Sequence, residues 1–154
     1  MSWLKLVGLF CFLVAAAVYC AAADRVARQR HAKHRASIDV PAIIHAIAAV
    51  ETGHNWAAIG KLGERGRCQF MRATWQQYTD APFDVWASRN SSVSWHVERA
   101  HLARILDAFE RNGHDFDPAL IAAAWRFGAT NALRYRRADS SRRVANLYWE
   151  ALGL

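Results

Sequence analysis

The chain is poor in the features that announce a chemistry directly. Of its 154 residues only three are cysteine and three proline. Cys11 and Cys20 fall in an N-terminal hydrophobic run, which leaves Cys68 alone in the remainder, so no disulfide framework can hold the globular part. Cys68 also lacks a recognisable His and Asn set for nucleophilic catalysis and reads as a small buried hydrophobe. The seven histidines are scattered without metal-ligand spacing; His96 and His101 stand five apart and would not share a helical face. There is no glycine-rich phosphate loop, alternating strand pattern, internal repeat or low-complexity tract. Acidic residues are outnumbered 13 to 20 by Lys and Arg, giving a formal charge of +7. That balance attracts anionic partners (cell-wall polymers, nucleic acid, acidic lipid) without choosing among them.

Apolar residues, by contrast, are abundant. They make up 53% of the chain, with seven tryptophans, enough for a real core and against global disorder. Residues 3–23 are almost wholly apolar, interrupted only by Lys5. Ala21, Ala22 and Ala23 offer the small residues of a signal-peptidase site, while the run is also long enough to remain as an uncleaved anchor. Tyr19 before Cys20 fits a lipoprotein signal poorly. Residues 24–37 are polar and basic, with Arg25, Arg28, Arg30, Lys33 and Arg35, and read as a linker or a solvated charge run. By the positive-inside rule these charges favour keeping the following part in the cytoplasm. The globular part is expected over residues 38–154.

Within it, periodicity and capping predict a mainly α domain of about five helices. Asp39, Val40 and Pro41 open a helix running to about Glu51, with Ile43, Ile44, Ile47 and Val50 at helical spacing and Gly53 as the stop. A second is expected over 73–79. Ser91 or Ser92 starts a long helix to about Arg111, and Asn112-Gly113 ends it. Asp117-Pro118 opens another that ends near Gly128, and Ser140 is expected to cap a last helix to Ala151.

Glu51 is the residue of interest. It stands at the end of an Ile/Val/Ala helix and is followed by a glycine-rich turn. Breaking a glycosidic bond needs a carboxylic acid that keeps its proton near neutral pH, and apolar surroundings supply that by desolvation. Its bland reading is a solvated carboxylate in a last helical turn. The following positions argue against that: Glu51-Thr52-Gly53, then Gly63, Gly66, Gln69, Met71 and Thr74. This pattern resembles the lysozyme-like lytic transglycosylase family (the SLT domain), with its E-S/T-G and G-x-x-G-x-x-Q-x-M-x-x-T motifs. Further on, Ala122-Ala123-Ala124-Trp125-Arg126-Phe127-Gly128 resembles the family's A-x-A-Y/W-N-A-G segment, and residues 143–148 resemble its closing helix.

The resemblance implies a murein lytic transglycosylase without cofactor or metal. It would cut the β-1,4 bond between N-acetylmuramic acid and N-acetylglucosamine in peptidoglycan glycan strands. Glu51 would act as acid and then base, assisting the C6 hydroxyl to form a 1,6-anhydro product. Thr52, Glu64, Gln69, Trp125 and Tyr148 are the candidates for the sugar cleft. Thr52 would support loop geometry. Glu64 either faces the cleft, where it would position water and favour lysozyme-type hydrolysis, or pairs with Arg65 or Arg67. Trp125 either stacks on a sugar or belongs to the core, and Met71 and Thr74 are expected to serve packing and capping. A wall enzyme would be exported to the periplasm or cell envelope, or held at the membrane through residues 3–23, against the charge rule above.

Two positions depart from the family pattern. Its Asn is Arg126 here, and the Tyr that contacts the catalytic Glu aligns with Ser140, leaving Tyr148 and Tyr135 as substitutes. Inward-pointing, Arg126 would lower the Glu51 pKa. Such losses leave open a wall-binding module without activity. A third reading is a membrane-anchored basic protein that binds nucleic acid or lipid, helped by Arg134, Arg136, Arg137, Arg142 and Arg143; a solvated turn explains that cluster equally. It leaves the spacing from Glu51 to Thr74 unexplained.

Overall fold

The computed structural model describes residues 3–89 and 91–154, except for the side chains of residues 3–9, 11, 27, 28, 30–34 and 36. The chain divides into two units, Met1–Ser37 and Ile38–Leu154. The first is one helix, α1 (Trp3–Ala36). The basic residues 24–36 continue this helix instead of forming an irregular connection, in keeping with their Ala, Arg, Lys and Gln content. Its described apolar residues, among them Phe10, Phe12, Val18 and Tyr19, are exposed. Among the described residues no helix is long and apolar enough to cross a membrane. In the expected run 3–23, the side chains of 3–9 and 11 lie outside the described set.

The second unit is mainly helical and, among the described residues, contains no strand. Its helices are α2 (Val40–Thr52), α3 (Arg72–Trp75), α4 (Phe83–Trp86), α5 (Ser92–Arg111), α6 (Pro118–Phe127), α7 (Ala132–Tyr135) and α8 (Asp139–Ala151), with a 3-10 turn at Ala129–Asn131. Three starts follow from side-chain caps. Asp39 accepts from the Ala42 N–H, Ser91 from Ser94 and Asp117 from Ala119, and the first and last are followed by proline in the first turn. Gly53, left-handed at φ 60°, closes α2 by donating to the Ala48 and Ala49 carbonyls.

Two expected helices differ. The one expected over 73–79 is a single turn, Arg72–Trp75. Trp75 is fully buried there, and its indole N–H donates to the Ala81 carbonyl, which folds the chain back at once. Ser140 does not cap the last helix. Ala138 holds the extended cap position without a side-chain bond, and Ser140 lies inside the first turn.

The core gathers the buried faces of these helices. Ile43, Ile44 and Ile47 of α2 join Val97, Leu102, Ile105 and Phe109 of α5, Leu120 and Ile121 of α6, and Val144 and Tyr148 of α8. Both α2 and α6 pack on α8. This arrangement fixes the C-terminal ends of α2 and α6 beside each other, and the loop 53–71 folds across them.

Candidate active site

The loop is built by close backbone turns. Gly60 N–H donates to the Glu64 carbonyl at 2.8 Å, Gly66 N–H to Ala58 at 3.0 Å, and Arg65 and Phe70 exchange two bonds at 2.9 and 3.0 Å. Gly66, at φ 78°, has no room for a side chain: a Cβ would stand 1.9 Å from the Ala87 carbonyl oxygen. Gln69 itself adopts a left-handed φ of 53°, and its amide nitrogen donates to the Gly66 carbonyl at 2.8 Å.

A buried ion pair clamps this loop to α5. Arg67 meets Glu98 through two bonds, Nε to Oε1 at 2.9 Å and an Nη to Oε2 at 2.5 Å. Its guanidinium is sandwiched between the Trp56 and Trp95 rings, 4.4 and 4.2 Å from their centroids. The Thr52 hydroxyl donates to the Arg67 carbonyl at 2.9 Å, tying the end of α2 to the same point.

Between loop and helices lies a cleft of about 750 Å³. Glu51, Glu64, Gln69 and Trp125 line it together, so four of the six residues singled out by sequence share one cavity. The other two do not line it. Thr52 is engaged with the loop backbone behind it. Tyr148 is buried in the core, where its oxygen accepts the Asp39 N–H at 3.1 Å, so its hydroxyl serves the start of α2. Tyr135 stacks on Phe127 at 4.2 Å instead of reaching Glu51.

Glu51 is only 16% exposed, with Arg126 Nη1 3.7 Å from its Oε1. Desolvation raises its pKa. Arg126 pulls it down, Glu64 pushes it up, and the net result is a raised value. Glu64 pairs with neither arginine considered for it: Arg65 bridges to Asp84 at 3.1 Å and Arg67 to Glu98. Its carboxylate accepts the Leu62 N–H at 2.9 Å and stays on the cleft wall. Trp125 donates its indole N–H to the Cys68 carbonyl at 3.2 Å, which orients the ring beside Phe70. Cys68 is buried beneath this point, its thiol pKa pushed well above the ordinary value mainly by burial.

The cleft also contains residues outside that set of six. Met71 and Thr74, expected to serve packing and capping, line it too, and Met71 is exposed. Gly60, Lys61, Leu62 and His101 line it as well. A Cβ at Gly60 would stand 2.2 Å from the Glu64 carboxylate and 2.6 Å from the Gln69 amide oxygen. That crowding was readable only as one more glycine in the loop. Among the described residues no cluster of His, Cys, Asp and Glu could hold a metal ion. Ser140 shares a small void with Glu51 and Arg126. In the C-terminal basic cluster, Arg136 pairs with Asp117 and Arg142 with Asp139, so part of that charge is answered within the chain.

No protein-family model, characterised protein or solved structure matches this chain.

Proposed function

We propose that this chain is a peptidoglycan-cleaving lytic transglycosylase with a lysozyme-like domain over residues 38–154. It acts on the β-1,4 bond between N-acetylmuramic acid and N-acetylglucosamine. One observation carries the reading: a single desolvated carboxyl with a raised pKa, Glu51, opens into a cleft large enough for sugar rings, opposite Gln69 and a glycine-rich loop. Protonated Glu51 delivers its proton to the glycosidic oxygen as the bond to the anomeric carbon breaks. The resulting carboxylate then takes the proton of the C6 hydroxyl as that oxygen bonds to the anomeric carbon, closing a 1,6-anhydro ring. The substrate acetamido group stabilises the charge between the two steps, so no second carboxylate is required. The apolar residues 3–23 serve as export signal or anchor, placing the domain at the glycan strands of the cell envelope.

Two neighbouring readings have their own support. Glu64 on the same wall could hold a water, giving lysozyme-type hydrolysis. Arg126, 3.7 Å from Glu51, favours the ionised carboxylate and so a sugar-binding module without turnover.

The test is muropeptide release from purified sacculi by the full chain and by Glu51→Gln, with products read by mass spectrometry. The expected result is 1,6-anhydro muropeptides with the parent and at least about a 100-fold loss in the variant. Hydrated reducing ends would assign hydrolysis and direct attention to Glu64. Binding to sacculi without release would assign the module.

A further inference from the structure

The cleft holds a polar side chain that this reaction does not use. His101 lies midway along α5, beside Trp125 and Phe70, whose rings meet it edge-on at centroid distances of 4.7 and 5.5 Å. Its Nδ1 is 3.0 Å from the Tyr78 hydroxyl oxygen. Arg104, three residues further along the helix, donates through Nη1 to the Gln77 side-chain oxygen at 2.6 Å, and its charge opposes the burial that raises the Tyr78 pKa. The Tyr78 hydroxyl donates to Nδ1 when the ring's proton sits on Nε2 and accepts from Nδ1–H in the other tautomer. Burial, reinforced by the Arg104 charge, pushes the His101 pKa down to about 4, so the ring is neutral at physiological pH. The His101 ring is part of the cleft lining, and among the described residues only its Nδ1 is engaged by a hydrogen bond within the protein.

We propose that His101 is a sugar-binding residue whose Nε2–H donates to the acetamido carbonyl of a 2-acetamido sugar, with the Tyr78 hydroxyl donating to Nδ1 and so holding the ring's proton on Nε2. The inference rests on the glycan reading of the cleft. A fixed, uncharged donor framed by two aromatic rings fits an amide carbonyl with a methyl group beside it. A hydroxyl, which both donates and accepts, would leave its hydrogen facing the rings. His101 thereby selects acetamido sugars over sugars bearing a hydroxyl at the same carbon.

The experiment uses the full chain and two neutral β-1,4 trimers, triacetylchitotriose and cellotriose, in titrations followed by calorimetry. The parent is expected to prefer triacetylchitotriose. His101→Phe, which keeps a ring between Trp125 and Phe70, is expected to lose roughly five- to tenfold in affinity for that ligand alone. His101→Gln, which retains a donor, should recover part of the loss. On sacculi, the His101→Phe effect should appear in KM more than in kcat. In the ligand-free protein, ¹⁵N NMR of the imidazole should show a neutral ring protonated at Nε2. An Nδ1-protonated ring, or an unchanged trimer preference in His101→Phe, overturns the inference while leaving the transglycosylase reading intact. A parent that neither binds triacetylchitotriose nor releases muropeptides overturns both.

Discussion

Arg126 and Glu51 face each other at 3.7 Å across the adjoining C-terminal ends of α6 and α2. The guanidinium is 49% exposed and the carboxyl 16%, so the arginine can turn to solvent while the acid cannot. Its charge opposes the desolvation that keeps Glu51 protonated, and Glu64 works the other way. The site thus carries its own brake on the acid form.

Removing that brake has a predictable sign. A general acid loses activity as pH rises through its pKa. Arg126→Gln removes the lowering influence, so the alkaline limb of kcat/KM against pH should move to higher pH. Glu64→Gln removes the raising influence and should move the same limb down. Because Arg126 is half exposed, the difference between parent and Arg126→Gln should shrink at high salt. Identical limbs for all three proteins would mean that Glu51 is not the titrating acid.

Glu51 should also cost stability. Its folded pKa is raised above the ordinary value of 4.5, so the folded chain holds a proton that the unfolded chain releases. Between those two values stability falls as pH rises, and the cost is complete above the folded pKa. Glu51→Gln escapes it. The variant should melt higher than the parent at neutral pH, with the gap closing below about pH 4 as both states become protonated. Thermal melts across pH read the effect, and a variant that melts lower throughout would contradict the burial argument.

The Arg67–Glu98 pair is where the loop should be most easily lost. Both side chains are buried and doubly bonded, 31 positions apart. Glu98→Gln leaves the guanidinium without its counter-charge, an expected cost of about 3 kcal/mol in urea denaturation. A paired Arg67→Met and Glu98→Leu change removes both charges and should recover most of that loss. Activity should stay low in the double variant, because the loop is then no longer drawn onto α5.

That pair also explains what could be read from the sequence and what could not. α2, α5 and α6 were legible because their signals are local: Asp39, Ser91 and Asp117 cap, prolines follow two of them, and Gly53 stops the first. Glu51, Glu64, Gln69 and Trp125 could be grouped because the motifs that hold them resemble those of the transglycosylase family, a likeness carried by spacing along the chain. Arg67 gave no local sign of its partner on α5. His101 gives no local sign of its partner for the same reason, since Tyr78 is 23 positions away. Tyr148 was misplaced because helical spacing puts it on the inner face of α8 without saying whether that face meets the cleft or the Asp39 N–H. α3 ended early because Trp75 is held by Ala81, outside its own helix.

The glycines of the loop offer a last, internally controlled prediction. Gly63 and Gly66 both have positive φ, 87° and 78°, so alanine strains the backbone at either site. They differ in space: a Cβ at Gly63 meets nothing within 4 Å, whereas at Gly66 it would stand 1.9 Å from the Ala87 carbonyl oxygen. Gly63→Ala should therefore cost about 1 kcal/mol from backbone strain alone. Gly66→Ala adds a clash with rigid backbone and should cost at least about 3 kcal/mol while pulling Arg67 and Gln69 away from their partners. Urea midpoints for the two variants measure the difference. If they proved equal, the loop would not be pressed against Ala87, and the cleft wall carrying Glu64 and Gln69 would lack the rigidity on which the placement opposite Glu51 depends.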